Sequence, residues 1–189
     1  MLRSTFCLCT LASCLSLAAH PAAAQEVVHA LTGTVSSIDA AGKTITLFQD
    51  SGSKGTFNEM TDRKTSLTID KKLLATATPA DDFSKNGAYV IVFYFGGESR
   101  TAVALRPLGT GPFTSAVGTV TKYESHSHTI TIKDDSGKEY TFKLGEDTVA
   151  EGGFGAVNGY KFQIDKGDRV RIVATTSGGD NTALFVRQM

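Results

Sequence analysis

Tryptophan is absent from the 189 residues, cysteine stands only at positions 7, 9 and 14, and proline occurs four times. Neither sign of charge is in excess, with 19 Lys and Arg against 19 Asp and Glu, so the chain lacks the long-range field that gathers nucleic acid. A mean hydropathy of −0.06 excludes a multi-span membrane protein. Nineteen glycines without a fixed period exclude a collagen, and 41% hydrophobic residues exclude a disordered polymer.

The three cysteines fall in a segment that reads as a processing signal. Arg3 gives it a positive start, Phe6 to Ala19 is uncharged and apolar, and Ala22-Ala23-Ala24 supplies a small-x-small cleavage pattern before Gln25. The run of about 14 residues is short of the roughly 20 needed to span a bilayer. A second reading takes Leu11-Ala12-Ser13-Cys14 as a lipobox with Cys14 lipidated. Cleavage after Ala24 leaves 165 residues with a net charge of −1 and no cysteine. The expected location is then periplasmic or secreted, and stability must come from burial and paired strands without disulfides.

Beyond that segment the chain repeats itself. Gly33-Thr34-Val35 recurs 85 residues later as Gly118-Thr119-Val120, and Asp50-Ser51-Gly52 recurs as Asp135-Ser136-Gly137. Twelve of the thirty pairs from Gly33 to Asp62 are identical, where unrelated segments give about two. After a stretch of variable length, Val90, Val92 and Arg106 match Val170, Ile172 and Arg187. The turn formers Pro107 to Pro112 mark the boundary, giving a first unit over 25–107, a linker over 108–117 and a second unit over 118–189.

Both units alternate with period two. Ile130 and Ile132 interleave with Thr129, Thr131 and Lys133, while Tyr140, Phe142 and Leu144 interleave with Thr141 and Lys143. Asp-Ser-Gly between two such runs is a hairpin turn in which Gly supplies positive φ. An all-β chain of two tandem small barrels of about five strands each is expected, since closure removes exposed edges. Leu73, Leu74, Ala75 and Ala77 favour a short helix between 71 and 84, against Thr76, Thr78 and Pro79.

With Gly-Thr-Val opening the first strand, Thr-Ile-Thr in the second and Ile164-Asp165-Lys166-Gly167-Asp168-Arg169-Val170 before a later one, the second unit resembles a family of small secreted bacterial OB-like β-barrel domains of unknown function. The first unit departs from it at Lys85-Asn86-Gly87-Ala88-Tyr89-Val90. The strand plan is also similar to that of the periplasmic copper-chaperone OB-fold family. That resemblance implies a Cu(I) site of one His, two Met and a Trp, whereas this chain has no Trp and only Met60 as an internal Met after the signal. The fold carries over and the soft-ligand site does not.

Candidate chemistry is sparse. His126 and His128 lie two apart and could share a metal ion if the backbone is extended, with Glu124, Asp134 and Asp135 as helpers; two solvated turn residues are the alternative. Asp134 to Glu139 lacks the ligand spacing of a calcium loop. No Gly-x-Ser-x-Gly elbow or phosphate loop occurs, and the adjacent Asp81 and Asp82 would face opposite sides of a strand. An enzyme is therefore not expected, and no cofactor. The expectation is a binding or interaction module whose partner is an envelope protein, a peptide or a glycan, not nucleic acid, with no transmembrane segment in the mature chain. Metal binding through His126 and His128 is the alternative.

One strand differs between the copies in a telling way. Tyr89, Ile91 and Phe93 occupy the positions of Arg169, Arg171 and Val173, so a face that is polar in the second unit is apolar in the first. A run apolar on both faces is a strand covered on both sides. The cover is expected to be the second barrel or the 71–84 segment, or else an external ligand or partner. Ile91→Lys should lower the melting temperature; an unchanged melt together with unchanged partner binding would refute a covered face.

Overall fold

The computed structural model describes residues 25–62 and 65–189; the expected signal segment, its expected cleavage site and Cys14 lie outside them. The first half contains β1 (Glu26–Val27), β2 (His29–Asp39), β3 (Thr44–Gln49), β4 (Lys54–Glu59), β5 (Leu67–Thr68), α1 (Lys71–Leu74), β6 (Thr78–Pro79), β7 (Tyr89–Phe95) and β8 (Thr101–Pro107). The second contains β9 (Thr114–Glu124), β10 (Thr129–Lys133), β11 (Glu139–Gly152), β12 (Gly155–Asn158), β13 (Arg169–Ser177) and β14 (Asp180–Gln188). No helix among the described residues is long and apolar enough to cross a membrane.

Two six-stranded sheets result, ordered β4-β3-β2-β7-β8-β6 and β10-β9-β13-β14-β11-β12. Each returns on itself. The second closes through five β10–β11 pairs and the first through two β4–β8 pairs. Counting only the five closing strands, both follow the order 1-2-3-5-4-1 with the third and fifth strands parallel, which is the OB plan. β9 begins at Thr114, inside the segment expected to be linker, so the connection between the sheets is residues 108–113.

The repeated residues account for the repeated backbone. A Cβ on Gly33 would stand 2.6 Å from the Phe48 carbonyl oxygen, and one on Gly118 would stand 2.6 Å from that of Lys133. Only glycine admits so close a strand. Two residues past each Gly-Thr-Val glycine the valine turns into its barrel, and at the next position a bulge leaves Ser36 or Thr121 without a register partner. Their hydroxyls donate to the Thr46 and Thr131 carbonyls, at 3.1 and 3.3 Å. The Asp-Ser-Gly turns end in Gly52 at φ 88° and Gly137 at φ 89°.

Inside the first barrel lie Leu31, Val35, Ile45, Leu47, Phe57, Val90 and Val92. Their counterparts Val120, Ile130, Ile132, Phe142, Val170 and Ile172 fill the second. A third core sits between the two and draws on both: Val28, Ala30, Ile91, Phe93 and Ala104 pack with Val149, Ala156, Val173 and Phe185. β7 thus serves two cores, Val90 and Val92 facing into the barrel, Ile91 and Phe93 facing the junction.

The 65–84 segment closes one side of the junction. Its helix is a single turn, and Leu73, 1% exposed, belongs to the junction core. Asp70 caps that turn by accepting from the Lys72 amide at 3.1 Å and reaches the other barrel through Asn158 Nδ2 at 2.9 Å and Lys161 Nζ at 3.0 Å. Gly155, at φ 96°, lets β12 approach so closely that a Cβ there would meet Val28 O at 2.7 Å, and the Ala156 amide donates to that same carbonyl.

Because the junction is packed as a core, truncating it should cost what core truncation costs. Phe185→Ala is expected to lose about 3–5 kcal/mol, a fall of roughly 10 °C or more in Tm. Combined with Phe93→Ala the loss should fall short of additive by about 0.5 kcal/mol or more, because the rings share one cluster. Strict additivity in urea unfolding would show two independent barrels.

Candidate ligand cleft at the barrel junction

Next to the junction core the barrels diverge and leave a cleft of about 540 Å³, within the roughly 300–1,000 Å³ typical of small-ligand sites. One wall is His29 on β2, Tyr94 on β7, and Gly96, Gly97 and Arg100 from the loop before β8. The other is Glu151, Gly152 and Gly153 at the end of β11 with Arg187 and Gln188 on β14 and Met189 just after it. Neither barrel alone forms it.

Two polar groups bind across the boundary. His29 Nδ1 and Glu151 Oε1 share a hydrogen bond of 2.6 Å, and the Ala30 amide donates to Glu151 Oε2 at 2.8 Å. Glu151 is 6% exposed, and burial pushes its carboxyl above the ordinary carboxylate range, against the lowering effect of His29, the Ala30 amide and Arg187. Arg187 is its register partner in β14, yet the two form no ion pair.

The guanidinium of Arg100 lies 5.4 Å from the Tyr94 ring centroid and 5.8 Å from that of Phe57, which fixes its plane and leaves its N–H edges for other partners. Among the described residues neither Arg100 nor Arg187 enters an ion pair. Burial raises the Tyr94 hydroxyl's pKa, while Arg100 and Arg187 pull it down.

The residues singled out in the sequence fall elsewhere. Ile91 and Phe93 are fully buried in the junction core. Tyr89 is half-buried, donates its hydroxyl to Asp50 Oδ2 at 2.5 Å and packs on Phe113. Thr32 donates to that same oxygen at 2.6 Å. His126 and His128 lie in the β9–β10 turn and not on an extended strand; His128 sits at φ 49°, as Lys43 does at φ 53° in the first barrel, and its ring stacks on Tyr160 at 4.2 Å. No group of three or more His, Cys, Asp or Glu that could hold a metal ion occurs among the described residues.

His29 is a strand residue whose side chain is 36% exposed and paired. It lies 122 positions from Glu151, so no local pattern joins them. The visible signal was Glu151 itself, an acid inside Val149-Ala150-Glu151-Gly152-Gly153 that has to find a partner if that run is buried.

No family model and no curated protein matches the chain. Similar solved structures include Ag(I)CusF, 19% identical over 42% of this chain and 100% of that one, TM-score 0.33. Residues 10–88 of CusF-Ag(I) from Escherichia coli are 18% identical over 43% of this chain and 96% of that one, TM-score 0.33. The drosophila Unr CSD456 structure is 12% identical over 85% of this chain and 61% of that one, TM-score 0.33. The OB-type description follows from the strand order itself.

A carboxyl whose pKa is raised on folding contributes stability that is present below its unfolded pKa, near 4.5, and lost as pH rises toward the higher folded value. Glu151→Gln removes that loss. Urea unfolding should therefore find the variant gaining on the wild type as pH goes from about 4.5 to 7.5. Glu151→Ala, which strips the Ala30 amide of its acceptor, should cost about 1–3 kcal/mol at either pH.

Proposed function

We propose that the chain is a non-enzymatic binding module of the bacterial cell envelope, released from its leader near Ala24, whose ligand occupies the cleft between two OB-like barrels that arose by duplication. The observation that carries this reading is the third core. It binds the barrels over Ile91, Phe93, Val173 and Phe185, so the two walls of the cleft are held at a fixed spacing before any ligand arrives. Preorganisation of this kind reduces the ordering cost of binding.

The cleft residues support binding over catalysis. His29 and Glu151 form a pair of the sort that acts as base and orienter, with the carboxylate on Nδ1, but no Ser, Thr or Cys lines the cleft to be activated. A mature chain of net charge −1 with a small, glycine-walled recess suits a glycan, a peptide end or an envelope component better than nucleic acid.

Native mass spectrometry of the protein recovered from its own periplasmic fraction tests the reading. A retained small-molecule mass is expected, and it should vanish in Gly97→Trp, a position where a Cβ meets nothing within 4 Å and the large ring fills the cleft. A bare chain from both preparations, with no cleft-dependent partner on cross-linking in the envelope, would overturn it.

A further inference from the structure

The cleft carries a charge imbalance with a defined shape. Two guanidiniums face it, one from each barrel, and the single side-chain carboxylate in its wall, that of Glu151, has both oxygens occupied by His29 and the Ala30 amide. Elsewhere on the surface such a cation finds a partner: Arg169 grips Asp135 with two N–H donors, at 3.0 and 2.8 Å. Arg100 and Arg187 are left with forked donors that match a carboxylate or phosphate.

The remaining wall is polar or bare except for the side chain of Met189. Gln188 donates its amide to Asp168 at 2.9 Å, which leaves its oxygen as an acceptor, and Gly96, Gly97, Gly152 and Gly153 put backbone instead of side chain against the cleft. An acyl chain or an apolar peptide would find a single exposed apolar side chain there, Met189, beside two guanidiniums. A nucleobase would want an open aromatic face, and Tyr94 is 7% exposed, covered by Arg100 and by His29 at 5.9 Å. A compact ligand rich in hydroxyls with one anionic group fits all of these features.

We infer that the cleft takes a saccharide unit bearing a carboxylate or a phosphate, its anionic group held between Arg100 and Arg187 and its hydroxyls met by His29 and Gln188. This inference rests on the cleft being the ligand site. Bringing guanidiniums from the two barrels onto one anion would make recognition depend on the junction as well as on each arginine.

The test is an amide chemical-shift titration of ¹⁵N-labelled mature protein recovered from the periplasm, at constant ionic strength. The probes are glucuronate, glucose 6-phosphate, glucose and inorganic phosphate. Shifts are expected at Gly96, Gly97, Arg100, Gly153 and Arg187 with glucuronate or glucose 6-phosphate, and the tighter of the two identifies the anionic group. Glucose should bind at least tenfold more weakly. Arg100→Gln and Arg187→Gln should each weaken the acidic sugar tenfold or more with Tm unchanged, while Arg187→Lys recovers part of the loss.

Equal shifts from glucose would overturn the anionic inference and leave the binding-module reading standing. Inorganic phosphate binding as tightly as both acidic sugars would overturn it too, as an adventitious ion only. If no sugar moves the cleft amides, the inference falls, and a Gly97-dependent mass retained in the native spectrum would still uphold the module.

Discussion

The constraint on which the rest of the structure depends is the burial of the outer face of β7. A small closed barrel ordinarily keeps its apolar residues inside and its polar ones outside, and the second barrel nearly does so, with Arg169 and Arg171 pointing outward from β13. In the first barrel Tyr89, Ile91 and Phe93 take that outward face. Left in water, a side chain of that size forfeits roughly 1.5–3 kcal/mol of burial. The strand therefore commits its barrel to a partner surface, and the second half of the same chain supplies it.

Several local features make sense only as consequences of that contact. Gly155 has no side chain because β12 must lie against Val28, and Asp70 serves a helix cap and two groups of the other barrel because the 65–84 segment spans the joint. Glu151 can be buried because the joint brings His29 and the Ala30 amide to it. A buried acid without such partners would be costly. The cleft is the space left where the joint ends.

Much of the fold was written in local pattern. Period-two alternation, the Gly-Thr-Val and Asp-Ser-Gly repeats and the doubly apolar run at 89–95 each reflect a constraint acting within a few residues: the pleat, a tight turn, a close strand, a strand covered on both faces. The cleft was not legible, because its members come from β2, β7, a loop, β11 and β14, and what unites them is the angle between barrels. His126 and His128 drew attention through spacing alone. That spacing belongs to a turn in which position 128 takes the same positive φ as Lys43, a backbone requirement that says nothing about ligands.

Two barrels with the same surface would pack poorly where large residues meet large. In the first barrel the register pair at the joint is Phe93 on β7 with Ala104 on β8; in the second it is Val173 on β13 with Phe185 on β14. The aromatic ring has changed strands. Each barrel thus presents a large residue beside a smaller one, in opposite order, and such alternation lets facing layers interdigitate at the density of a protein interior. Ile91 in the first barrel, at the position of Arg171 in the second, completes the asymmetry. The apolar side lies in the joint, while Arg171 lines the small gap it shares with Asp50 and Arg187.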